Sequence, residues 1–347
     1  MNNTKAILTT PGSMNIIPAE IPVPKDDEVL IKVEYVGICG SDVHGFESGP
    51  FIPPKDPNQE IGLGHECAGT VVAVGRNVSK FKMGDRVNIE PGVPCGKCRY
   101  CLEGKYNICP DVDFMATQPN YRGALTNYLC HPASFTYKLP ENMDTLEGAL
   151  VEPAAVGIHA AMLAEVTPGK KIIILGAGCI GLMTLQACRC MGASDIVVVD
   201  VLEKRLTMAS QLGAKYVIDG AKEDTIARSK ELLGEAGADI IFETAGSQAT
   251  VKQAPHLVMR GGKIMIVGTV PGDSPINFLK INREVTIQTV FRYANRYPVT
   301  IEAISSGRFD VKSMVTHVYA YADVQRAFEE SVHNKKDIIK GVIKITD

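Results

Sequence analysis

An apolar strand that runs directly into a glycine-rich turn and a helix constrains this chain more than any other feature. The run Ile172–Leu175 leads into Gly176-Ala-Gly-Cys-Ile-Gly181, after which the sequence predicts a helix from Leu182. In such a G-x-G-x-x-G turn, the first glycine permits the bend, the second lets the backbone approach a pyrophosphate, and the third allows close helix–strand packing. The motif predicts a dinucleotide-binding βα unit, although a tight βα turn without a ligand would use the same residues.

The next apolar run ends in an acid, and this acid favours NAD over NADP. Asp200 follows the glycine turn at the distance where a carboxylate accepts hydrogen bonds from the adenosine ribose and repels a 2′-phosphate. Arg205, just beyond it, could weaken that discrimination or pack on the adenine. The predicted contacts of the dinucleotide with this unit are Gly176, Gly178, Ile180, Gly181, Asp200 and Arg205.

Apolar runs alternate with helical stretches through the second half of the chain. This alternation predicts the α/β class with a doubly wound parallel sheet. The six runs are Ile172–Leu175, Asp195–Val199, Tyr216–Ile218, Asp239–Phe242, Ile264–Val267 and Val285–Val290.

The part before Leu150 differs, because its short β-type runs are separated by Pro and Gly, as in a compact β-rich domain. After Val311 the sequence predicts an amphipathic helix and a last strand, which we expect to return to that domain. The predicted domains are therefore 1–150 with 292–347, which is discontinuous, and 151–291.

Composition excludes several classes of protein. The length of 347 residues fits two domains, and the net charge of −3 gives no reason to expect nucleic acid or an anionic membrane as partner. No apolar run approaches the roughly 20 residues that span a bilayer. Ten cysteines without a secretory signal predict a reduced, cytoplasmic protein.

Four of the cysteines follow the spacing C-x2-C-x2-C-x7-C. Cys95, Cys98, Cys101 and Cys109 could converge on one tetrahedral ion, and zinc is its usual identity. Four cysteines fill every coordination position, so this zinc would be structural. A zinc ribbon that binds nucleic acid is disfavoured by the acidic charge balance.

A second set of possible zinc ligands is scattered along the chain. Cys39, His65, Glu66 and Glu152 together offer a thiolate, an imidazole and carboxylates, a mixture that can leave a position for a substrate oxygen. Taken singly, each has an ordinary explanation as a core, loop or surface residue, so spacing alone leaves the site open.

The order of the motifs resembles that of zinc-dependent medium-chain dehydrogenases. These motifs are Gly37-Ile-Cys-Gly-Ser-Asp-Val-His44, Gly62-Leu-Gly-His-Glu66, the four cysteines, Glu147-Gly-Ala-Leu-Val-Glu-Pro153 and the glycine turn. Within that family, Leu150–Pro153 and Val290-Phe-Arg-Tyr293 resemble the polyol branch of sorbitol and xylitol dehydrogenases. One departure is Gly45, followed by Phe46, where polyol relatives usually carry an aromatic residue first.

The resemblance implies a GroES-like catalytic domain joined to a Rossmann domain. It implies that Cys39, His65 and Glu66 bind a catalytic zinc ion, that Glu152 lies beside it as ligand or catalytic residue, and that Ser41 and His44 relay a proton. It also implies nicotinamide contacts at Val267, Gly268, Thr269, Val290, Phe291 and Arg292. The implied substrate contacts are Phe114, Thr117, Glu152, Arg292 and Tyr293. For Phe114 and Thr117, packing within their own loop is an equally good explanation.

The implied function is oxidation of a secondary hydroxyl of a polyol to a ketose with NAD. Alternatives are 2,3-butanediol, L-threonine or another secondary alcohol as substrate, or a catalytically silent NAD-binding protein on the same scaffold. The resemblance further implies a homotetramer or homodimer.

Overall fold

The computed structural model describes residues 3–346, and this part of the chain divides into two compact units. The first unit contains the chain up to Glu152, together with Tyr297–Ser305 and the chain from Val311 onward. The second contains Pro153–Arg296 and Ser306–Asp310. We propose that the first unit is the predicted catalytic domain and the second the predicted dinucleotide-binding domain.

The chain up to Leu150 forms mostly short strands. They are β1 (Asn3–Thr10), β2 (Ser13–Ala19), β3 (Glu28–Gly37), β4 (Ile61–Gly62), β5 (Glu66–Val74), β6 (Arg86–Ile89), β7 (Gly92–Val93), β8 (Asp113–Phe114), β9 (Tyr128–Pro132) and β10 (Thr136–Lys138). The α-helices here are α1 (Gly40–Ser48), α2 (Arg99–Leu102) and α3 (Thr145–Ala149).

Beyond Leu150, helices and strands alternate. They are α4 (Val151–Leu163), β11 (Lys171–Leu175), α5 (Cys179–Cys190), β12 (Asp195–Asp200), α6 (Glu203–Gln211), β13 (Tyr216–Asp219), α7 (Thr225–Leu233), β14 (Ala238–Glu243), α8 (Gln248–Leu257), β15 (Val258–Ile266) and β16 (Thr286–Thr289). The last elements are α9 (Tyr297–Ser305), β17 (Val315–Ala320), α10 (Val324–His333) and β18 (Lys340–Lys344). Single 3₁₀ turns lie at Tyr106–Ile108, Ala133–Phe135, Lys312–Met314 and Tyr321–Asp323.

The first unit is built around β3. Strand β5 pairs along one edge of β3, while β9 and β18 share the other edge, β9 near the start of β3 and β18 near its end. This sheet continues through β6 and β10 on one side and β17 on the other. Strand β18 thus joins the sheet of the N-terminal strands.

The second unit contains a six-stranded sheet in the order β13-β12-β11-β14-β15-β16, with every pair parallel. This is the Rossmann strand order, and it confirms the predicted doubly wound α/β fold. Strand β11 is buried along almost its whole length because helices cover both faces of a parallel sheet, which explains its unbroken apolar sequence.

One predicted helix limit differs from the structure. Helix α5 begins at Cys179 with Gly178 as its N-cap, not at Leu182, because the turn needs only Gly176–Gly178. The third glycine of the motif therefore lies inside the helix, where it packs against the turn.

Candidate metal centres and dinucleotide-binding turn

Cys39, His65 and Glu66 place one ligand atom each within 4.8 Å of one another. Cys39 lies between β3 and α1, and Glu66 is the first residue of β5, where it pairs with Gly37 at the end of β3. A thiolate, an imidazole and a carboxylate suit zinc, and three protein ligands leave a fourth position for a substrate oxygen. The donor set therefore fits a catalytic zinc ion.

Asp42 supports this cluster, a role that the sequence motif contained but did not reveal. It is buried, accepts hydrogen bonds from the backbone N–H groups of Cys39 (3.1 Å) and Gly64 (2.9 Å), and lies 3.5 Å from Nδ1 of His65. A carboxylate on one ring nitrogen fixes the imidazole so that the other nitrogen can bind metal.

The charges of His65 and Asp42 shift each other's pKa values in opposite directions. Burial alone would lower the pKa of His65, but the neighbouring Asp42 and Cys39 outweigh burial and raise that pKa well above its usual value. Burial would likewise raise the pKa of Asp42, yet its contacts with His65 and with backbone amides hold that pKa below its usual value. Asp42 is therefore the anion that orients His65.

Lys340 is the second supporting residue that the sequence did not reveal. Its Nζ donates to Oε1 of Glu66 at 2.7 Å and to the carbonyl oxygen of Ile38 at 2.9 Å. A side chain at position 37 would lie 2.0 Å from Oε2 of Glu66, so Gly37 makes room for the carboxylate. Lys340 is far away in sequence, so no local pattern could have indicated it.

The other predicted catalytic residues lie outside the three-residue cluster. Glu152, in α4, is buried, but its carboxylate is not among the grouped ligand atoms of the described residues. Ser41 is exposed in the first turn of α1. The His44 ring stacks on Phe51, with ring centroids 3.9 Å apart. The roles of these residues stay predictions.

Phe114 and Thr117 follow the four-cysteine segment. The Phe114 ring lies 5.4 Å from the His65 ring, centroid to centroid, so this predicted substrate residue is beside the metal cluster. The Thr117 hydroxyl donates to the carbonyl oxygen of Phe114 at 3.1 Å, which indicates a local role in shaping the loop.

The four cysteines Cys95, Cys98, Cys101 and Cys109 form the second group of possible metal ligands. The lobe between β7 and β8 carries them, and that short strand pair closes its base. None of the four is in a disulfide, and N–H groups of Lys97 and Cys98 lower the pKa of Cys95 to about 7, whereas burial raises the pKa of Cys101 to about 12. Four converging cysteine sulfurs fill every position of a tetrahedral ion, so this lobe fits a closed structural zinc site.

The glycine turn has the space that a pyrophosphate needs. A side chain at Gly178 would meet only Nη1 of Arg205, 3.9 Å away, so the backbone is open to a ligand. At Gly181, by contrast, a Cβ atom would lie 1.9 Å from the carbonyl oxygen of Gly176. Ile180 lies in the first turn of α5. These positions fit the predicted dinucleotide contacts.

Asp200, the last residue of β12, closes the same turn. Its Oδ2 accepts from the N–H of Ala177 at 2.7 Å, and its Oδ1 accepts from the N–H groups of Val201 (2.8 Å) and Leu202 (3.0 Å). Nη1 of Arg205 lies 3.8 Å from Oδ2 of Asp200. Asp200 therefore also holds the turn together, a structural role that the ribose assignment did not anticipate.

The predicted nicotinamide residues follow the last two strands of the parallel sheet. Val267, Gly268 and Thr269 come directly after β15, and Val290 donates from its N–H to the carbonyl oxygen of Ile266. Phe291 is half exposed, and the Arg292 guanidinium lies 4.7 Å from the centre of its ring. Tyr293 is buried within the same unit. Their contacts with cofactor or substrate stay predictions.

Comparisons with known proteins agree with this site. Residues 25–141 match the alcohol dehydrogenase GroES-like domain, and residues 179–306 match the zinc-binding dehydrogenase domain. The chain is 86% identical, over the whole of both chains, to an uncharacterized zinc-type alcohol dehydrogenase-like protein of Escherichia coli. It is 40% identical to sorbitol dehydrogenase of Bacillus subtilis, over 99% of this chain and 97% of that protein.

Among solved structures, an oxidoreductase/dehydrogenase of unknown specificity from Escherichia coli matches with a TM-score of 0.99 and 85% identity over both whole chains. The chain therefore belongs to the zinc-binding dehydrogenase family. It is an enzyme that uses zinc and a nicotinamide dinucleotide, which confirms the predicted family, enzyme class and cofactors. Across residues 3–346, no helix is both long and apolar enough to cross a bilayer.

Proposed function

We propose that this dehydrogenase oxidises a secondary hydroxyl of a polyol of the sorbitol or xylitol type to the ketose, with NAD as hydride acceptor. The observation that carries the proposal is the cluster of Cys39, His65 and Glu66, whose ligand atoms lie within 4.8 Å of one another. The identity of 40% with a sorbitol dehydrogenase supports a polyol rather than a simple alcohol.

The residues in and around the cluster divide the tasks of the proposed reaction between them. Zinc, when bound, lowers the pKa of a coordinated hydroxyl and so promotes loss of its proton. Cys39, His65 and Glu66 hold the ion, while Asp42 keeps Nδ1 of His65 occupied. Ser41 and His44, two and five residues after Cys39, carry the released proton away in this proposal, because a hydroxyl and an imidazole both donate and accept.

Polyhydroxylated substrates need several polar contacts, and the chain offers them. Glu152 can accept hydrogen bonds from hydroxyl groups, and the Arg292 guanidinium presents several N–H donors. Phe114, which borders His65, supplies an apolar wall. We propose these three residues, with Thr117 and Tyr293, as substrate contacts.

NAD is the proposed cofactor because Asp200 carries a negative charge at the end of β12. Replacing it in Asp200→Ser would remove the charge that opposes a 2′-phosphate. We expect the ratio of kcat/KM for NAD to kcat/KM for NADP to fall by about tenfold, because one repulsive contact is worth on the order of 1 kcal/mol or more.

A substrate panel tests the proposal. NAD reduction is measured with sorbitol, xylitol and galactitol beside 2,3-butanediol and L-threonine, and the highest kcat/KM is expected for a polyol. A higher kcat/KM for 2,3-butanediol or L-threonine than for every polyol would show that the proposed substrate class is wrong. No turnover with any polyol would contradict the proposed substrate class.

Metal analysis tests the two proposed zinc sites. We expect two zinc ions per chain, one for each ligand group. Cys39→Ser should lose one zinc and the activity, whereas Cys130→Ser, which alters a free cysteine outside both groups, should keep both. A single zinc in the unaltered protein would contradict the proposal.

A further inference from the structure

We propose that Glu243 makes the second unit favour the oxidised, positively charged form of the nicotinamide over the reduced form. The inference rests on the proposed NAD binding and adds a residue that neither the glycine motif nor the predicted nicotinamide contacts include. Glu243 is the last residue of β14, and its side chain is completely buried.

Topology places Glu243 on the nicotinamide side of the sheet. In this strand order, a dinucleotide lies across the carboxyl ends of the strands at the switch point next to β11. The glycine turn after β11 and Asp200 after β12 take the pyrophosphate and the adenosine half. The ends of β14 and β15 would then hold the nicotinamide half, and there Glu243 pairs with Leu175 on one side and Ile266 on the other.

One carboxylate oxygen of Glu243 organises the turn after β14. Oε1 accepts from the N–H of Ala245 at 3.0 Å, from the N–H of Ser247 at 3.4 Å and from the hydroxyl of Thr250 at 2.7 Å. The carbonyl oxygen of Glu243 also accepts from the N–H groups of Val267 and Gly268. Glu243 thus ties this turn to the turn after β15.

The other oxygen, Oε2, has no hydrogen-bond partner among the described residues although it is fully buried. It faces Gly268, where an added Cβ atom would lie 2.8 Å from Oε2 and 2.3 Å from the backbone nitrogen of Gly246. The backbones of Gly268 and Gly246 therefore pack closely beside this oxygen. A buried carboxylate oxygen without a donor is unfavourable unless a positive charge lies near it.

The two redox forms of the nicotinamide differ in charge. The oxidised ring carries one positive charge and the reduced ring is neutral, so a negative charge near the bound ring would stabilise only the oxidised form. The protein interior screens this attraction less than water does. Glu243 therefore lowers the dissociation constant of NAD⁺ relative to that of NADH.

Glu243→Gln tests the charge while it preserves the length of the side chain and an acceptor oxygen. Dissociation constants of NAD⁺, NADH and ADP-ribose are measured by calorimetry on the zinc-loaded protein. We expect the ratio of the NAD⁺ constant to the NADH constant to rise about tenfold, as an interaction of this kind predicts. Binding of ADP-ribose, which has no nicotinamide ring, should not change.

Thr250→Val is the matched control, because it removes a donor to Oε1 but leaves the charge. Its ratio should equal that of the unaltered protein. An unchanged ratio in a folded Glu243→Gln protein would overturn the inference, as would an equal shift in Thr250→Val. If Glu243→Gln does not fold, Glu243→Met, of similar length and without charge, takes its place. Failure of the unaltered protein to bind NAD⁺, NADH and ADP-ribose would instead refute the proposed function.

Discussion

Lys340 Nζ lies 2.7 Å from Oε1 of Glu66, although the two residues are 274 positions apart in the chain. Both side chains are almost completely buried, at 2% and 1% exposure. The buried ammonium of Lys340 compensates the charge of the buried Glu66 carboxylate. It also restricts the position of that carboxylate, which we propose as a zinc ligand.

Lys340→Met is expected to lower the free energy of unfolding by about 3–5 kcal/mol, because Glu66 would remain buried without its cation. The zinc content should also fall, since the carboxylate would lose its fixed position. Urea unfolding followed by circular dichroism and metal analysis check this. Lys336→Met, at an exposed position nearby, is the control and should change stability by less than about 0.5 kcal/mol. Equal midpoints for both variants would contradict the role of Lys340.

Gly178→Ala and Gly181→Ala should separate binding from folding. At Gly178 the φ angle of −69° suits alanine, and the nearest protein atom is 3.9 Å from the added Cβ. Stability should therefore stay the same while the dissociation constant for NAD rises at least about tenfold, since the backbone can no longer approach the pyrophosphate. Calorimetry and thermal unfolding measure the two effects.

Gly181→Ala should show the opposite pattern. The added Cβ would lie 1.9 Å from the Gly176 carbonyl oxygen and 2.8 Å from the Thr244 hydroxyl, so the helix must move. A loss of about 1–3 kcal/mol in stability is expected. If Gly178→Ala bound NAD normally, the proposed pyrophosphate site would be wrong.

His131 should make the protein less stable in acid. Burial lowers the pKa of His131 to about 4, although its ring nitrogen contacts the carbonyl oxygen of Glu90 at 2.9 Å. The unfolded chain binds a proton below a pKa of about 6.5 and the folded chain does not, so stability is complete above pH 6.5 and is lost as the pH falls to about 4. This difference amounts to about 3 kcal/mol.

His131→Gln keeps a donor but cannot titrate, so its unfolding free energy should fall by about 3 kcal/mol less between pH 7 and pH 4. Urea unfolding at several pH values measures the difference. His333→Gln, which replaces an exposed histidine, should follow the unaltered protein. Parallel pH curves for His131→Gln and the unaltered protein would exclude His131 as the cause.

Tyr106 should control how firmly the four-cysteine lobe is held. Its hydroxyl donates to Oε1 of buried Glu90 at 2.7 Å, and the Tyr137 hydroxyl donates to Oε2 at 2.9 Å. Burial raises the pKa of Glu90, and the two hydroxyls lower it in part. In Tyr106→Phe one buried oxygen loses its donor, which should cost about 1–3 kcal/mol.

Zinc release from the lobe to a chromogenic chelator should be several-fold faster in Tyr106→Phe, since Tyr106 lies in the 3₁₀ turn just before Cys109. Tyr100→Phe, at a more exposed position in α2 of the same lobe, is the control. Identical release rates for the two variants would show that Glu90 does not hold the lobe.

Local patterns in the sequence predicted the features that depend on neighbouring residues. The glycine turn follows its strand directly, and six apolar runs between helices indicated the parallel sheet before its order was known. The four cysteines are equally local. Each of these features requires only that the chain bend within a short segment, so spacing alone describes it.

Contacts between distant residues could not be predicted in this way. Asp42 stands within a motif that resembled the family, but nothing in the motif shows that it faces His65. Lys340 reaches Glu66 only because β18 pairs with β3. Glu243 follows the predicted run Asp239–Phe242, but nothing in that run shows that its Oε2 faces Gly268.

The position of β18 has a consequence for synthesis on the ribosome. Most of the second unit, Pro153–Arg296, is one continuous segment, so its parallel sheet can form while the chain is being translated. The sheet around β3 cannot be completed before β18 is made, because β18 supplies both a neighbouring strand and the cation for Glu66. A nascent chain that stalls before residue 340 therefore carries the zinc-binding cysteine, histidine and glutamate but cannot complete their surroundings.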